Sequence, residues 1–116
     1  MKKGDKYGAH RVIEPIGVLT QAARKIDNNM NELYSNEILV DVTSLNIDSA
    51  SFTQIKNDVG SDEEKLKERI LAIVDERGKM QNPVTGSGGM FIGVVKAVGA
   101  DLAGDHRSPL QPGDRI

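Results

Sequence analysis

The stretch Glu37-Ile38-Leu39-Val40-Asp41-Val42-Thr43-Ser44-Leu45 decides how the rest of the chain is read. Ile38, Val40 and Val42 alternate with Leu39, Asp41 and Thr43, the period of two expected of a strand with one buried face. Immediately after it, Asn46-Ile47-Asp48-Ser49 breaks the alternation with short polar side chains that hydrogen-bond their own backbone, the signature of a turn or cap. A second strand is expected over Phe91–Val98, with Gly93 inside it marking a bulge or a backbone approached closely by another segment. Arg115-Ile116 opens what reads as a further strand. Toward the N-terminus, Arg11–Glu14 is a β-prone run that Pro15 closes. Gln21–Ile26 fits a helical turn or a strand equally, and Asp27–Asn31 (DNNMN) is turn chemistry.

The clearest helix is expected over Asp62–Arg77. Ser61 stands at the N-cap position with Glu64 three residues on, a capping box. Asp62, Glu63 and Glu64 oppose the positive end of the helix dipole. Leu66, Ile70, Ile73 and Val74 form one apolar stripe, and Gly78 supplies the stop. Lys79–Gly89 reads as a flexible loop, and Gly99–Gly113 as irregular chain with turns at DHRSP and QPGD. Short strands, glycine-rich turns and one or two helices predict a mainly β fold in a single domain over residues 1–116.

Composition narrows the function. With 15 basic against 17 acidic side chains the chain carries no electrostatic footprint for nucleic acid. The absence of cysteine excludes disulfides, thiolate zinc sites, iron–sulfur clusters and a cysteine nucleophile. Met90–Val95, the longest apolar run, is too short to span a bilayer, and MKKGDKYG leads into no apolar segment. A soluble cytoplasmic domain with no membrane partner is expected. Two Tyr and two Phe offer little for stacking on bases.

No motif stands alone. Gly86-Ser87-Gly88-Gly89 lacks the Gly-Lys-Ser/Thr of a phosphate loop, and a strand rather than a helix follows it. His10 and His106 are too far apart to pair by local spacing and read as surface or satisfied histidines. Asn46, Asp48 and Ser49 could support proton transfer or substrate hydrogen bonding, but a polar tetrad after a strand is ordinarily a turn.

Three segments taken together change this. Val42–Ser49 (VTSLNIDS), Pro83–Gly99 (PVTGSGGMFIGVVKAVG) and Pro112–Ile116 (PGDRI) resemble, in order and spacing, the N-terminal catalytic domain of medium-chain dehydrogenases. Tyr7–Pro15 and Leu45–Gln54 resemble a branch of that family that oxidises an amine of a small diamino acid. The resemblance implies a GroES-like, partly open β-barrel and NAD as cofactor. Zinc-dependent relatives carry a Cys where this sequence has Asn46, and a His-Glu pair where it has Gly89-Met90, so a zinc-independent enzyme is implied. The proton-relay positions fall on Asp48 and Ser49, Asn46 replaces a metal ligand, and Met90 and Phe91 become substrate-facing wall. Arg11, Arg24 and Lys96 are all available for a substrate carboxylate, and nothing in the sequence ranks them.

No strand–GxGxxG–helix unit occurs in these residues. The resemblance therefore implies a truncated barrel, an N-terminal fragment that is inactive without its nucleotide-binding domain. Its open strand edges favour self-association, so a homo-oligomer is a further expectation. The competing reading is a non-catalytic GroES-like binding or interaction module.

Overall fold

The computed structural model describes every residue of the 116 except His106 and Ser108. The reading of His106 thus lies outside the described residues, as do two of the five positions of the DHRSP turn. A 3-10 turn over Ala9–Arg11 leads into β1 (Val12–Glu14), which pairs antiparallel with β2 (Lys25–Ile26). Of the ambiguous Gln21–Ile26 run, only its last two residues form strand. Ahead of it, the Ala22 and Ala23 amides both fold back onto the Leu19 carbonyl in a turn. The DNNMN segment is a pair of side-chain turns: Asp27 Oδ1 accepts from the Asn29 amide and Asn29 Oδ1 from the Asn31 amide.

The decisive stretch is β3 (Ile38–Ile47), and it pairs antiparallel with β4 (Gly89–Val98) from Ile38 opposite Val98 to Ile47 opposite Gly89. The pairing shifts between Leu39 and Val40 and again between Val42 and Ser44. Gly93 faces the second shift. A Cβ there would lie 2.5 Å from the Asp41 carbonyl oxygen and 2.8 Å from Val40 Cγ1, so only glycine lets the two backbones approach this closely. The expected further strand is present in outline. Gly93 and Ile116 exchange two backbone hydrogen bonds, and the Val95 amide donates to Asp114, so the last residues line the other edge of β4.

Between β3 and β4 the chain forms two helices, α1 (Ser49–Val59) and α2 (Glu63–Arg77). The first corrects the sequence reading, which saw only a turn or cap at Asn46–Ser49. Asp48 is indeed a cap, but of an 11-residue helix. Ser51, Ile55 and Val59 lie on its inner side at four-residue spacing, and the serine in that stripe hides the apolar period. The second helix follows expectation apart from its start. Asp62, not Ser61, is the N-cap, its carboxylate accepting from the Glu64 amide at 2.9 Å, so Glu64 does not close a capping box. Both residue types cap well, and the carboxylate adds a favourable interaction with the helix dipole. Gly78 ends α2 in the left-handed conformation (φ 74°).

The core sits between the helices. Ile55, Leu66 and Ile73 are buried together, with Val59, Ile70 and Met80 packed around them. Each such side chain contributes about 1.5–3 kcal/mol by leaving water. The β3–β4 ribbon is different. Its alternation predicts one buried face, yet Val42 is 54% exposed, Met90 73% and Ile92 59%. Val95 is 1% exposed and Ile38, Leu39 and Val40 are half-buried, so the ribbon is covered toward that end and open toward Asn46, where the alternation marks the strand without marking a filled core. The chain thus has two small antiparallel sheets and two helices, and no closed barrel among the described residues. No helix among them is long and apolar enough to cross a membrane.

Candidate functional site

The five residues singled out from sequence gather at one end of the β3–β4 ribbon. Asn46 stands opposite Met90, Leu45 opposite Phe91 and Ile47 opposite Gly89. The Asp48 amide extends the ladder by donating to the Gly88 carbonyl at 2.9 Å, and α1 starts there. The strand pair therefore brings Asn46, Asp48, Met90 and Phe91 to one end of the ribbon, with Asn46 and Met90 on one face and Phe91, paired with Leu45, on the other. Asn46, Ser49, Met90 and Phe91 are exposed and Asp48 is half-buried. Neither Asn46 nor Ser49 makes a side-chain hydrogen bond among the described residues.

Asp48 is held from two sides. Its Oδ1 accepts from the Ser51 amide at 2.8 Å, the helix cap, and from the Ser87 hydroxyl at 3.2 Å. Its Oδ2 is buried and has no hydrogen-bond partner. An unsatisfied buried acceptor costs about 1–3 kcal/mol, which a donor arriving there would recover.

Sequence reasoning passed over the residues that frame this carboxylate. Ser87 Oγ lies 2.9 Å from Thr85 Oγ1, and Thr85 Oγ1 lies 3.3 Å from Ser51 Oγ. The Ser51 hydroxyl donates to the Ser87 carbonyl at 3.1 Å, and Ser51 is fully buried. Asn82, also fully buried, pins the same loop. Its Nδ2 donates to Gln54 Oε1 (2.8 Å) and the Ser51 carbonyl (3.3 Å), while its Oδ1 accepts from the Val84 and Thr85 amides. Where composition reads as a flexible loop, these bonds tie the segment to α1. The available signal was the spacing of Asp48 and Ser51, a cap and the amide that donates to it three residues on.

This loop is not a phosphate cradle. The Gly86 amide is taken by the Asn82 carbonyl and the Ser87 amide by Thr85 Oγ1, and β4 follows instead of a helix. The Gly86 and Ser87 amides are therefore not free to hold a phosphate. Among the described residues no three His, Cys, Asp or Glu side chains converge as metal ligands.

The cations left unranked by sequence now differ. Arg11 is occupied: Nε and Nη2 donate to the Glu37 carboxylate at 2.7 Å each, Nη1 reaches Asp27, and both terminal nitrogens bond backbone carbonyls. That guanidinium is the main reason the Glu37 carboxyl is pulled down to about 2, against an opposing cost of burial. His10 belongs to the same cluster. Its Nδ1 accepts from the Asp5 amide, so Nε2 carries the proton and donates to Glu37 at 3.0 Å. It is the satisfied histidine expected. Arg24 is paired with Glu14 (2.7 Å) and Glu76 (3.3 Å), whereas Lys96 is loosely held by Asp41 at 3.7 Å.

Comparison with known proteins adds the following. The family model described as L-erythro-3,5-diaminohexanoate dehydrogenase N-terminal domain matches residues 10–116. The chain is 65% identical over its whole length to an L-erythro-3,5-diaminohexanoate dehydrogenase of Fusobacterium nucleatum, covering 33% of that protein. It is 60% identical over 98% of its length to one of Acetoanaerobium sticklandii, covering 32% of it. The chain thus spans about a third of the length of the curated relatives it matches.

Proposed function

Because the chain belongs to the L-erythro-3,5-diaminohexanoate dehydrogenase N-terminal domain family, we propose that it supplies the substrate side of an NAD-dependent dehydrogenase. The reaction is the oxidative deamination of (3S,5S)-3,5-diaminohexanoate to 5-amino-3-oxohexanoate, a step of lysine fermentation in the cytoplasm. The observation that carries this reading is the identity of 60–65% to two dehydrogenases of that name along essentially the whole chain. We further place the domain with the medium-chain dehydrogenases and their GroES-like barrel. The third segment beside β4, at Asp114–Ile116, supports that placement as the start of a larger sheet.

NAD is bound mainly by a nucleotide-binding domain outside this chain, since the glycine-rich loop here is no phosphate cradle. What the chain offers is the handling of the amine. A C3 ammonium must lose its proton before its carbon can be oxidised, so a base must stand beside it. Asp48 takes that role: Oδ1 is fixed by two donors, and the buried Oδ2 has none, so it is the oxygen left for an ammonium once the side chains covering it part to admit the substrate. Ser49, exposed at the first turn of α1, passes the proton to solvent. Asn46 hydrogen-bonds the substrate from the strand end, Met90 forms the apolar wall beside it on the same face, and Phe91 contributes apolar surface from the opposite face.

The enzyme works without zinc. Asn46 and Met90 face each other where zinc-dependent relatives carry ligands, and neither is a thiolate, imidazole or carboxylate. A Cβ at position 89 would overlap the Asn46 carbonyl oxygen, so a histidine does not fit there without moving β3.

The test is an assay of the whole natural gene product with diaminohexanoate and NAD, followed by Asp48→Asn. Asparagine caps a helix as well as aspartate, so the variant should fold normally. Turnover should fall by orders of magnitude; near-normal turnover removes Asp48 from the mechanism, and no turnover in the wild type removes the substrate.

A further inference from the structure

We infer that Ser87 is a positioning residue for Asp48, acting from the glycine-rich loop ahead of β4. This rests on the proposed role of Asp48 and extends it to a residue that neither the sequence reading nor the family description singles out.

The proton directions around the loop are fixed by elimination. The Ser51 hydroxyl gives its hydrogen to the Ser87 carbonyl. A carboxylate can only accept, so the Ser87 hydroxyl gives its hydrogen to Asp48 Oδ1. Thr85 must then be the donor in its 2.9 Å contact with Ser87. The two hydroxyls form a short chain, Thr85 to Ser87 to Asp48, with both hydrogens pointing toward the carboxylate. Such chains polarise one another, so the last bond is stronger than an isolated one.

A hydroxyl in this place could simply hold the loop, but the loop is already held by other bonds. The Asn82 amide donates to the Ser87 carbonyl, Gly86 to Asn82, and the Asp48 amide to Gly88, all at 2.8–2.9 Å. None uses the Ser87 side chain. Its Oγ serves Asp48 and Thr85 alone among the described residues. The Ser51 amide by itself holds Oδ1 from one direction and lets the carboxylate rock about its Cβ–Cγ bond through the range that one hydrogen bond tolerates. The Ser87 hydroxyl, reaching the same oxygen from the loop side, narrows that rocking and with it the place where Oδ2 stands. Removing it should therefore impair chemistry and leave the fold and substrate capture largely intact.

The experiment is steady-state kinetics of the whole gene product with diaminohexanoate and NAD, in Ser87→Ala, Ser87→Thr, Asp48→Asn and the Ser87→Ala/Asp48→Asn double variant. Thermal unfolding is recorded for each. Ser87→Ala should lower kcat about 10- to 100-fold, the loss typical of a hydrogen bond to a charged group. KM should stay within about 3-fold of wild type and the melting temperature should hold, because uniform binding and folding are not involved. Ser87→Thr, which keeps the hydroxyl, should restore most of kcat. In the Asp48→Asn background, Ser87→Ala should cost less than about 2-fold, since residues acting as one unit are not additive. Wild-type kcat in Ser87→Ala, or the same loss with and without Asp48, overturns the inference alone. Near-normal activity of Asp48→Asn, or no turnover in the wild type, overturns it together with the reading on which it rests.

Discussion

Replacing Glu37 by glutamine should cost stability in a way that depends on pH. The Glu37 side chain is 21% exposed and receives Arg11 through both carboxylate oxygens, His10 Nε2 through one, and the Tyr34 amide through the other. These donors depress its carboxyl from 4.5 to about 2, with Arg11 the largest cause. At about 1.4 kcal/mol per pH unit the drop corresponds to roughly 3 kcal/mol. Partial exposure of the cluster trims this to roughly 2–3 kcal/mol. The sign follows from linkage: the folded state holds the proton less tightly than the unfolded chain, so this stabilisation is fully present above pH 4.5. It is lost as pH falls from 4.5 through 2. Glutamine keeps an acceptor for the Tyr34 amide but cannot hold the charge. Urea unfolding of wild type and Glu37→Gln at steps from pH 7 to pH 2 should show a gap of roughly 2–3 kcal/mol at neutrality. By pH 2 the gap should narrow to under about 0.5 kcal/mol. A gap that stays constant across the range would show that Glu37 contributes by shape and hydrogen bonding, and the charge argument would fail.

Other outcomes follow from the fold. Ile55, 1% exposed at the centre of the helix pair, should lose about 2–5 kcal/mol on truncation to alanine, read by chemical unfolding. Asp62→Ala should cost about 1 kcal/mol while Ser61→Ala costs only a few tenths; equal effects would contradict the observed cap. Gly93→Val should loosen the β3–β4 ladder, because its side chain would collide with the Asp41 carbonyl and Val40. Amide exchange across that ladder should speed up by about 5- to 150-fold, as a destabilisation of about 1–3 kcal/mol predicts.

What sequence revealed and what it hid follow from the range of each interaction. α2 was legible because its apolar stripe and its glycine stop are local. Its cap was misplaced by one residue because Ser61 and Asp62 are both competent, and only the backbone angle chooses. α1 was hidden, since its opening Asp-Ser-Ala-Ser is turn chemistry and its buried stripe includes a serine. β3 was legible as a strand, but alternation reports the pleat and not what lies above it, so the exposure of Val42 could not be read. Asp48 drew notice as a carboxylate after a strand. Its partners Thr85 and Ser87 did not, because they reach it only after the chain returns at Gly88.

That return has a kinetic consequence. Ile47 meets Gly89 and Ile38 meets Val98, so every rung of the ladder closes a long loop. A flexible loop of that size is entropically costly to close, and contacts so far apart in sequence form late unless something shortens the path. The helical hairpin is what shortens it: once α1 and α2 dock through Ile55, Leu66 and Ile73, the ends of the excursion are already near each other. Folding of this domain should therefore be paced by its helices, with the strands zipping outward from Asp48 and Gly88 toward Ile38 and Val98.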